Sequence, residues 1–256
     1  MGGALASGLV TGGAWAVEDV AVVEPDPGRR AALATAVPGL AVVETLAPGL
    51  VAEGTDAVLA VKPDMAEVTC HALEAVGVRR VLSIVAGMTS GRLEASLGAG
   101  AVVVRAMPNT AALVGAAVSA ISGGSNAHAA DLEWAERVLG AVGSVVRVPE
   151  RYQDAVTAVS GSGLAYLFLV VESLVEAGVL AGLPRELATT LATETARGAG
   201  MLLAETGERP EELRAGVTSP GGTTAAALRA LEARAVRSAF IEAVLSAVER
   251  SRSLGR

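Results

Sequence analysis

The fold is decided by residues 80–109, which read RVLSIVAGMTSGRLEASLGAGAVVVRAMPN. Two apolar runs rich in β-branched residues, Arg80–Ala86 and Ala101–Met107, lie on either side of Ser90–Leu97, where the apolar residues have helical spacing. Continuous apolar runs are typical of strands that are buried on both faces of a parallel sheet. The stretch therefore predicts two parallel strands joined by a crossover helix.

The same alternation extends through the first part of the chain. Asp26-Pro27 is a helix cap with a first-turn proline and predicts a helix over Arg29–Val37, and Asp64–Val76 has a similar pattern. The five further runs with strand character are Val20–Glu24, Leu40–Glu44, Ala57–Val61, Ala117–Ser122 and Ser144–Val148. Residues 1–149 are therefore predicted to form an α/β domain, with a mostly parallel sheet covered on both faces.

The strand pattern stops at Glu150, and we expect residues 150–256 to form an all-helical domain. Its predicted helices are Arg151–Val159, Leu164–Ala181, Pro184–Glu205, Thr223–Ala233 and Ala235–Ser251. Several of them are apolar on more than one face, which favours burial against another subunit. The most hydrophobic stretch, Leu164–Leu183, contains Glu172 and Glu176, and two carboxylates argue against a membrane span.

Composition excludes several classes of function. The 256 residues carry a net charge of -7 and only 2% aromatic residues, which does not fit a nucleic-acid surface. One cysteine (Cys70) and two distant histidines (His71 and His128) predict neither a disulfide framework nor a metal site. The first residues lack the positive region of a secretion signal, so we expect a cytoplasmic protein.

Ligands of such sheets bind at the carboxyl ends of the strands, and the residues there suit a dinucleotide. Lys62, the only lysine of the chain, precedes Pro63 at the end of one predicted strand. The next strand ends in Ala86-Gly87, whose small side chains let a flat ring approach the backbone. The strand after it ends at Asn109, which has a donor and an acceptor for a carboxamide or a ribose hydroxyl.

Glu24 ends an earlier strand, at a position where an acid often binds the ribose hydroxyls. A carboxylate there favours NAD over NADP, because it would repel a 2′-phosphate. The neighbouring Arg29 and Arg30 leave that preference open.

Two small-residue motifs lie in the helical half. Ser160-Gly161-Ser162-Gly163 precedes a predicted helix and permits close approach of a ligand. Thr218-Ser219-Pro220-Gly221-Gly222-Thr223-Thr224 directly precedes another predicted helix, whose first amides are free. Free amides, two glycines and four hydroxyls together predict a site for a small carboxylate.

The motifs of this chain resemble those of the Δ1-pyrroline-5-carboxylate reductase family, in the same order along the sequence. The matching motifs are Ala60-Val61-Lys62-Pro63, Ala86-Gly87, the run from Arg105 to Thr110, Ser160 to Gly163 followed by Ala165-Tyr166, and Val217 to Thr224. The resemblance implies a Rossmann-like domain followed by a helical dimerisation domain. It also implies reduction of a cyclic imine to L-proline by hydride transfer from NADPH or NADH.

The resemblance also assigns roles to individual residues. Ala60, Val61, Lys62, Pro63, Ala86, Gly87 and Asn109 would line the cofactor, together with Met1 and Gly2. Ser219, Gly221, Gly222, Thr223, Thr224 and Ser162 would bind the substrate, with the Thr224 hydroxyl beside the ring nitrogen as the catalytic group. Glu150 aligns with an acid near the substrate in some relatives. The expected assembly is a homodimer, and its further assembly into a decamer stays open.

The sequence departs from the family pattern at its start. The family opens with a strand and a Gly-x-Gly-Asn-Met-Gly loop, whereas Met1-Gly2-Gly3 resembles only the tail of that loop. We therefore expect the chain as given to bind cofactor weakly and to fold less stably than a version extended upstream. A catalytically silent nucleotide-binding homologue and a reductase of another cyclic imine remain alternatives. A β-hydroxyacid dehydrogenase is disfavoured, because that family uses a lysine in its helical domain and no lysine follows Lys62.

Overall fold

The computed structural model of the chain describes residues 1–47, 49, 51–52 and 54–254. They form two compact units, the first made of the described residues of 1–162 and 246–254 and the second of Gly163–Leu245. The domain boundary predicted between Pro149 and Glu150 stays a prediction, and residues 150–162 pack within the first unit.

The first unit alternates short strands with helices. Its strands are β1 (Ala21–Val23), β2 (Ala41–Val43), β3 (Ala57–Leu59), β4 (Arg80–Ser83), β5 (Val102–Met107), β6 (Ala117–Gly123) and β7 (Gly143–Arg147). Its helices are α1 (Gly2–Thr11), α2 (Pro27–Ala36), α3 (Ala66–Ala75), α4 (Ser90–Leu97), α5 (Ala129–Gly140) and α6 (Gln153–Val156). Each of the seven predicted strands is present, with bounds that differ from the prediction by a few residues.

The strands form two sheets, a two-stranded sheet of β1 and β2 and a five-stranded sheet in the order β3-β4-β5-β6-β7. All pairs are parallel except β5 and β6, where Arg105 lies opposite Ser122. The predicted mostly parallel α/β architecture is confirmed. Because β3, β4 and β5 are parallel neighbours, their carboxyl ends lie at one edge of the sheet.

Helix α1 packs on both sheets. Its Leu5 and Leu9 belong to the core of the five-stranded sheet, together with Leu82, Ile121 and Leu139. On another face, Ala6 and Val10 join the cluster under β1 and β2. The helix thus holds the two sheets together through burial of apolar side chains.

Helix α4 shows how local sequence sets the bounds of an element. Thr89 is its N-cap and accepts a hydrogen bond from the Arg92 amide at 3.4 Å, and Gly98 with φ +83° ends it. Leu93 and Leu97, one helical turn apart, are fully buried against the sheet. The predicted helix over Ser90–Leu97 is confirmed with the same bounds.

The second unit is helical throughout. Its helices are α7 (Gly163–Leu180), α8 (Arg185–Thr206), α9 (Pro210–Gly216), α10 (Thr223–Ala233) and the first part of α11 (Val236–Leu254). Helices α7 and α8 pack around Val175, Ala188 and Ala192. Most of the α7 surface is exposed in the single chain, including Leu167 and Phe168.

One expectation about the helices requires correction. The predicted helices over Arg151–Val159 and Leu164–Ala181 form one continuous helical stretch, Glu150–Leu180, which is long and apolar enough to cross a membrane by length and composition. Its middle contains a π-helical turn, Thr157–Gly161, where the Ser162 amide donates to the Thr157 carbonyl at 2.8 Å. No proline interrupts the stretch, and this bond between residues five apart keeps the backbone hydrogen-bonded beside Gly161.

Candidate active site

Three of the predicted cofactor segments lie at the same edge of the five-stranded sheet. Lys62 and Pro63 follow β3, Ala86 and Gly87 follow β4, and Asn109 follows β5. Lys62 is exposed, and Pro63 begins a short 3-10 helix. Gly87 has φ +77°, a left-handed conformation that favours glycine in this turn. The structure therefore brings together the three strand ends that the sequence singled out.

Asn109 has an unused acceptor at this edge. Its side chain is only 7% exposed, and its Nδ2 donates to the carbonyl and the hydroxyl of Ser160 at 3.4 and 3.5 Å. Its Oδ1 is buried without a hydrogen-bond partner within the described residues. A buried acceptor of this kind costs free energy until a donor reaches it. The atom therefore suits a ligand with an N–H or O–H group, such as a carboxamide.

The start of α1 approaches the end of β3. A Cβ placed on Gly2 would lie 2.9 Å from the Cβ of Ala60, so a side chain at position 2 would force the helix away from the strand. Met1 occupies the N-cap position and makes no side-chain capping bond, so the first amides of the helix are left for another acceptor. A helix N-terminus beside Ala60 and Val61 fits the pyrophosphate of a dinucleotide.

Glu24 is held at the end of β1 by its own loop. Its Oε1 accepts from the Asp26 amide at 2.9 Å and lies 3.2 Å from Nη2 of Arg29, which is 72% exposed. Arg30 donates to the carbonyls of Glu24 and Pro25 and forms an ion pair with Glu44. Both neighbouring arginines thus already have carboxylate partners.

Glu150 is fully engaged within the first unit. Its Oε1 accepts from the Ser90 amide at 2.7 Å, and its Oε2 accepts from the Ser90 hydroxyl at 2.6 Å. The buried guanidinium of Arg105 lies 3.3 Å from Oε1. Burial by itself would raise the pKa of Glu150, but these hydrogen bonds and the positive charge lower it below its usual value.

The predicted small-residue motif at Ser160–Gly163 lies in and directly after the π-helical turn. Such turns occur often at functional sites, because they displace the side chains of a helix from regular spacing. Here Ser160 lies beside Asn109, and a Cβ on Gly161 would lie 3.4 Å from the Cε of Met107. Ser162 is half-buried at the end of the first unit.

The predicted carboxylate site lies in the second unit, at the start of α10. Gly222 is the N-cap of this helix and no side chain caps it, so the amides of Thr223, Thr224 and the next residue have no helical acceptor. Gly221 has φ +73°, and the Gly222 amide donates to the carbonyl of Ser219 at 3.1 Å. The turn thus leaves three convergent N–H donors at the positive end of a helix dipole.

The hydroxyls around this turn differ in availability. Thr218 donates its hydroxyl to the Arg214 carbonyl at 2.6 Å and is therefore occupied. Ser219 and Thr223 are exposed, and Thr224 is half-buried. Of the four hydroxyls in the motif, three are therefore available for a ligand.

Other reactive groups do not form a competing site. The described residues contain no cluster of histidine, cysteine and carboxylate side chains that could hold a metal ion. Cys70 is buried, and burial with the nearby Glu67 raises the pKa of its thiol to about 11, so it stays neutral. His71 and His128 are both exposed.

Sequence reasoning missed the partners of the site residues. Ser90 and Arg105 hold Glu150, and Ser160 holds Asn109, although none of the three was predicted as a site residue. One available signal was Arg105 itself, a charged residue inside an otherwise apolar strand. A buried charge of this kind requires a partner.

The family model for pyrroline-5-carboxylate reductase dimerisation matches residues 150–254. The pyrroline-5-carboxylate reductase of Mycobacterium tuberculosis (strain CDC 1551 / Oshkosh) is 43% identical over 279 residues, and the match covers 99% of this chain and 93% of that protein.

Two solved structures are similar over nearly their whole length. A pyrroline-5-carboxylate reductase from Coxiella burnetii has a TM-score of 0.89 at 32% identity, covering 99% of this chain and 94% of that one. The pyrroline carboxylate reductase of Plasmodium falciparum, with NADP bound, has a TM-score of 0.86 at 29% identity, covering 100% and 95%.

Proposed function

This chain belongs to the pyrroline-5-carboxylate reductase family and reduces Δ1-pyrroline-5-carboxylate to L-proline with NAD(P)H. We propose that the start of α10 binds the substrate and that the edge of the five-stranded sheet binds the cofactor. The observation that carries the assignment is the uncapped start of α10, where three amides converge behind Gly221 and Gly222. These amides bind the substrate carboxylate, because a helix N-terminus supplies both N–H donors and a positive potential.

Thr224 is the catalytic group in this proposal. Its amide binds the carboxylate and its half-buried hydroxyl lies in the same first turn, within reach of the other polar group of a small ring. The hydroxyl stabilises the ring nitrogen as it becomes an amine. Ser219 and Thr223 add hydrogen bonds beside the turn, and Ser162, in the first unit, stays a sequence-based candidate for substrate contact.

The sheet edge binds the cofactor. The nicotinamide cofactor, when bound, supplies the hydride. The buried Oδ1 of Asn109 accepts from the carboxamide, and Ala86 and Gly87 leave room for the flat ring. Lys62, Pro63, Ala60 and Val61 lie beside the sugar and phosphate groups, and the start of α1 with Met1 and Gly2 binds the pyrophosphate.

NADH is the preferred cofactor in this proposal. Glu24 is fixed by the Asp26 amide, so it presents a carboxylate that accepts from a ribose diol and repels a 2′-phosphate. Arg30 is held by Glu44 and by two backbone carbonyls, and Arg29 pairs with Glu24 itself, so neither is a free cation for a 2′-phosphate.

Association of chains follows from the dimerisation family of residues 150–254. The exposed apolar side chains of α7, such as Leu167, Phe168 and Leu174, are the surface that a second copy would cover. We propose a cytoplasmic homodimer, with a decamer as the larger assembly. Sedimentation velocity on the 25.5 kDa chain distinguishes two copies from ten.

The activity is tested by mixing the purified protein with pyrroline-5-carboxylate and either NADH or NADPH. We expect loss of the nicotinamide absorbance band with formation of proline, faster with NADH. Cofactor binding without turnover would indicate a silent homologue. Turnover only with other cyclic imines would show that the substrate is one of those imines and not pyrroline-5-carboxylate. The first outcome would also reject Thr224 as a catalytic group.

A further inference from the structure

Glu150 connects two segments that the proposed function assigns to the nicotinamide end of the cofactor. Its carboxylate accepts two hydrogen bonds from Ser90, the first residue of α4. Helix α4 follows the turn that contains Ala86 and Gly87. The same carboxylate pairs with Arg105 on β5, four residues before Asn109. One side chain therefore joins the start of α4 to the strand β5.

The backbone that carries Glu150 is itself firmly anchored. Gln153 is fully buried, and its Nε2 donates to the Ser122 hydroxyl at 2.8 Å and to the Ala120 carbonyl at 3.3 Å. The Ser122 hydroxyl in turn donates to the Val148 carbonyl at 2.8 Å. These bonds fix the backbone on both sides of Glu150, so they also restrict the position of its carboxylate.

The start of α4 has a second cap in addition to Thr89. The intrinsic cap, Thr89, makes only a long hydrogen bond at 3.4 Å to the Arg92 amide. The Glu150 carboxylate makes two shorter bonds to Ser90 and places a negative charge at the positive end of the helix dipole. The position of the α4 start, and of the turn before it, therefore depends on Glu150.

We propose that Glu150 is a positioning residue for the cofactor, which holds the turn after β4 and the end of β5 at the spacing that the nicotinamide ring requires. This inference rests on the proposed function for the identity of the ring. It differs from the role implied by the family resemblance, in which Glu150 is an acid near the substrate. Both of its oxygens are occupied, and its lowered pKa keeps it ionised at neutral pH, so it has no proton to donate.

The test uses the isosteric variant Glu150→Gln. The matched control is Glu136→Gln, which removes the charge from a carboxylate that makes two short bonds to Arg147 on the edge strand β7. Cofactor Kd is measured by nicotinamide fluorescence, and the KM values of both substrates and kcat by steady-state kinetics. We expect Glu150→Gln to raise the Kd and KM of the cofactor about tenfold and to leave the KM of pyrroline-5-carboxylate within about twofold.

A second variant separates positioning from simple loss of stability. Glu150→Gln leaves the buried Arg105 without a countercharge, which lowers Tm. The double variant with Arg105→Met removes that cation as well, so Tm should recover. Because Ser90 still lacks its carboxylate partner, the cofactor Kd should stay high.

Two results would overturn the inference. An unchanged cofactor Kd in Glu150→Gln with a raised KM for pyrroline-5-carboxylate would make Glu150 a substrate residue. Recovery of the cofactor Kd together with Tm in the double variant would make its role structural only. Failure of the proposed function is distinguishable, because the wild-type protein would then bind the cofactor without reducing pyrroline-5-carboxylate.

Discussion

The substitution Gly222→Ala tests the proposed carboxylate site with the smallest change of side chain. The backbone of Gly222, with φ -76° and ψ 174°, is one that alanine adopts without strain. A Cβ there would overlap the hydroxyl of Ser219 and lie 3.2 Å from the Ser219 carbonyl oxygen. Relief requires rotation of the Ser219 hydroxyl or a movement of residue 222 relative to the Ser219 carbonyl, which accepts the Gly222 amide at 3.1 Å, and either change disturbs the proposed site.

The expected magnitude follows from the bonds that this movement disturbs. A hydrogen bond to a charged group contributes about 1.5–3 kcal/mol, and the turn aims three amides at one carboxylate. Loss of a single one corresponds to about a tenfold or larger rise in KM for pyrroline-5-carboxylate, since about 1.4 kcal/mol is tenfold. The folding stability should not fall for lack of glycine. Replacing glycine by alanine at a compatible position reduces the conformational entropy of the unfolded chain and stabilises a protein by about 0.4–1 kcal/mol.

The assay is steady-state kinetics in both substrates, with Gly216→Ala as the matched control. A Cβ on Gly216, the last residue of α9, would meet no heavy atom of the described chain within 4 Å. We expect the control to keep wild-type kinetics and Gly222→Ala to change the KM of pyrroline-5-carboxylate but not that of the cofactor. A wild-type KM in Gly222→Ala would refute the assignment of this turn to the carboxylate.

Four further predictions concern other parts of the molecule. Thr224→Ala should lower kcat/KM about tenfold or more and Thr224→Ser much less, whereas wild-type kinetics in the alanine variant would exclude Thr224 from catalysis. Glu24→Gln should lower the ratio of kcat/KM for NADH to that for NADPH, because it removes a charge that repels the 2′-phosphate; an unchanged ratio would show that Glu24 does not contact the ribose. Gly8→Ala should reduce the free energy of unfolding measured in urea by about 1–2 kcal/mol, because the added Cβ would overlap Val142 and this overpacking exceeds the gain in helix propensity; Val142→Ala in the same chain should restore stability. Thermal unfolding should show that the wild-type protein loses stability below about pH 4.5. The pKa of Glu150 is lower in the folded than in the unfolded protein, so its ionised carboxylate stabilises the folded state above the unfolded-state pKa, and this stabilisation is lost as the pH falls through the folded-state pKa. Glu150→Gln should weaken that pH dependence.

The strands were predictable because each is a short, continuously apolar run between turn residues. The antiparallel pairing of β5 and β6 was not predicted, although its cause can be read in the chain. The connection, residues 108–116, contains only a short 3-10 helix over Thr110–Val114. A parallel neighbour would require a crossover of a dozen residues or more, so this connection is too short for one.

The local geometry of the candidate site was predictable where it depends on backbone and small residues, and less so where it depends on distant partners. Gly221 and Gly222 indicate a turn before a helix without reference to the rest of the chain. The contacts of Glu150 join positions that are 45 and 60 residues apart, and a local pattern carries no information about them. The helix pattern likewise predicted two helices around Ser160 rather than a π-helical turn, because propensity does not distinguish these hydrogen-bonding schemes.

The charges around the two proposed binding regions bear on how hydride transfer would be accelerated. Glu150 is neutralised by Arg105 and Ser90, and Cys70 stays a neutral thiol. In the proposed assignment, the groups at the start of α10 are amides and hydroxyls and the group at the sheet edge is the Asn109 oxygen, none of which changes its protonation near neutral pH. Such a site contributes through orientation and fixed dipoles. In this proposal the proton that completes the amine arrives on the substrate, or the Thr224 hydroxyl donates it and regains one from water. The pH dependence of turnover should then follow the protonation of the imine rather than that of a side chain.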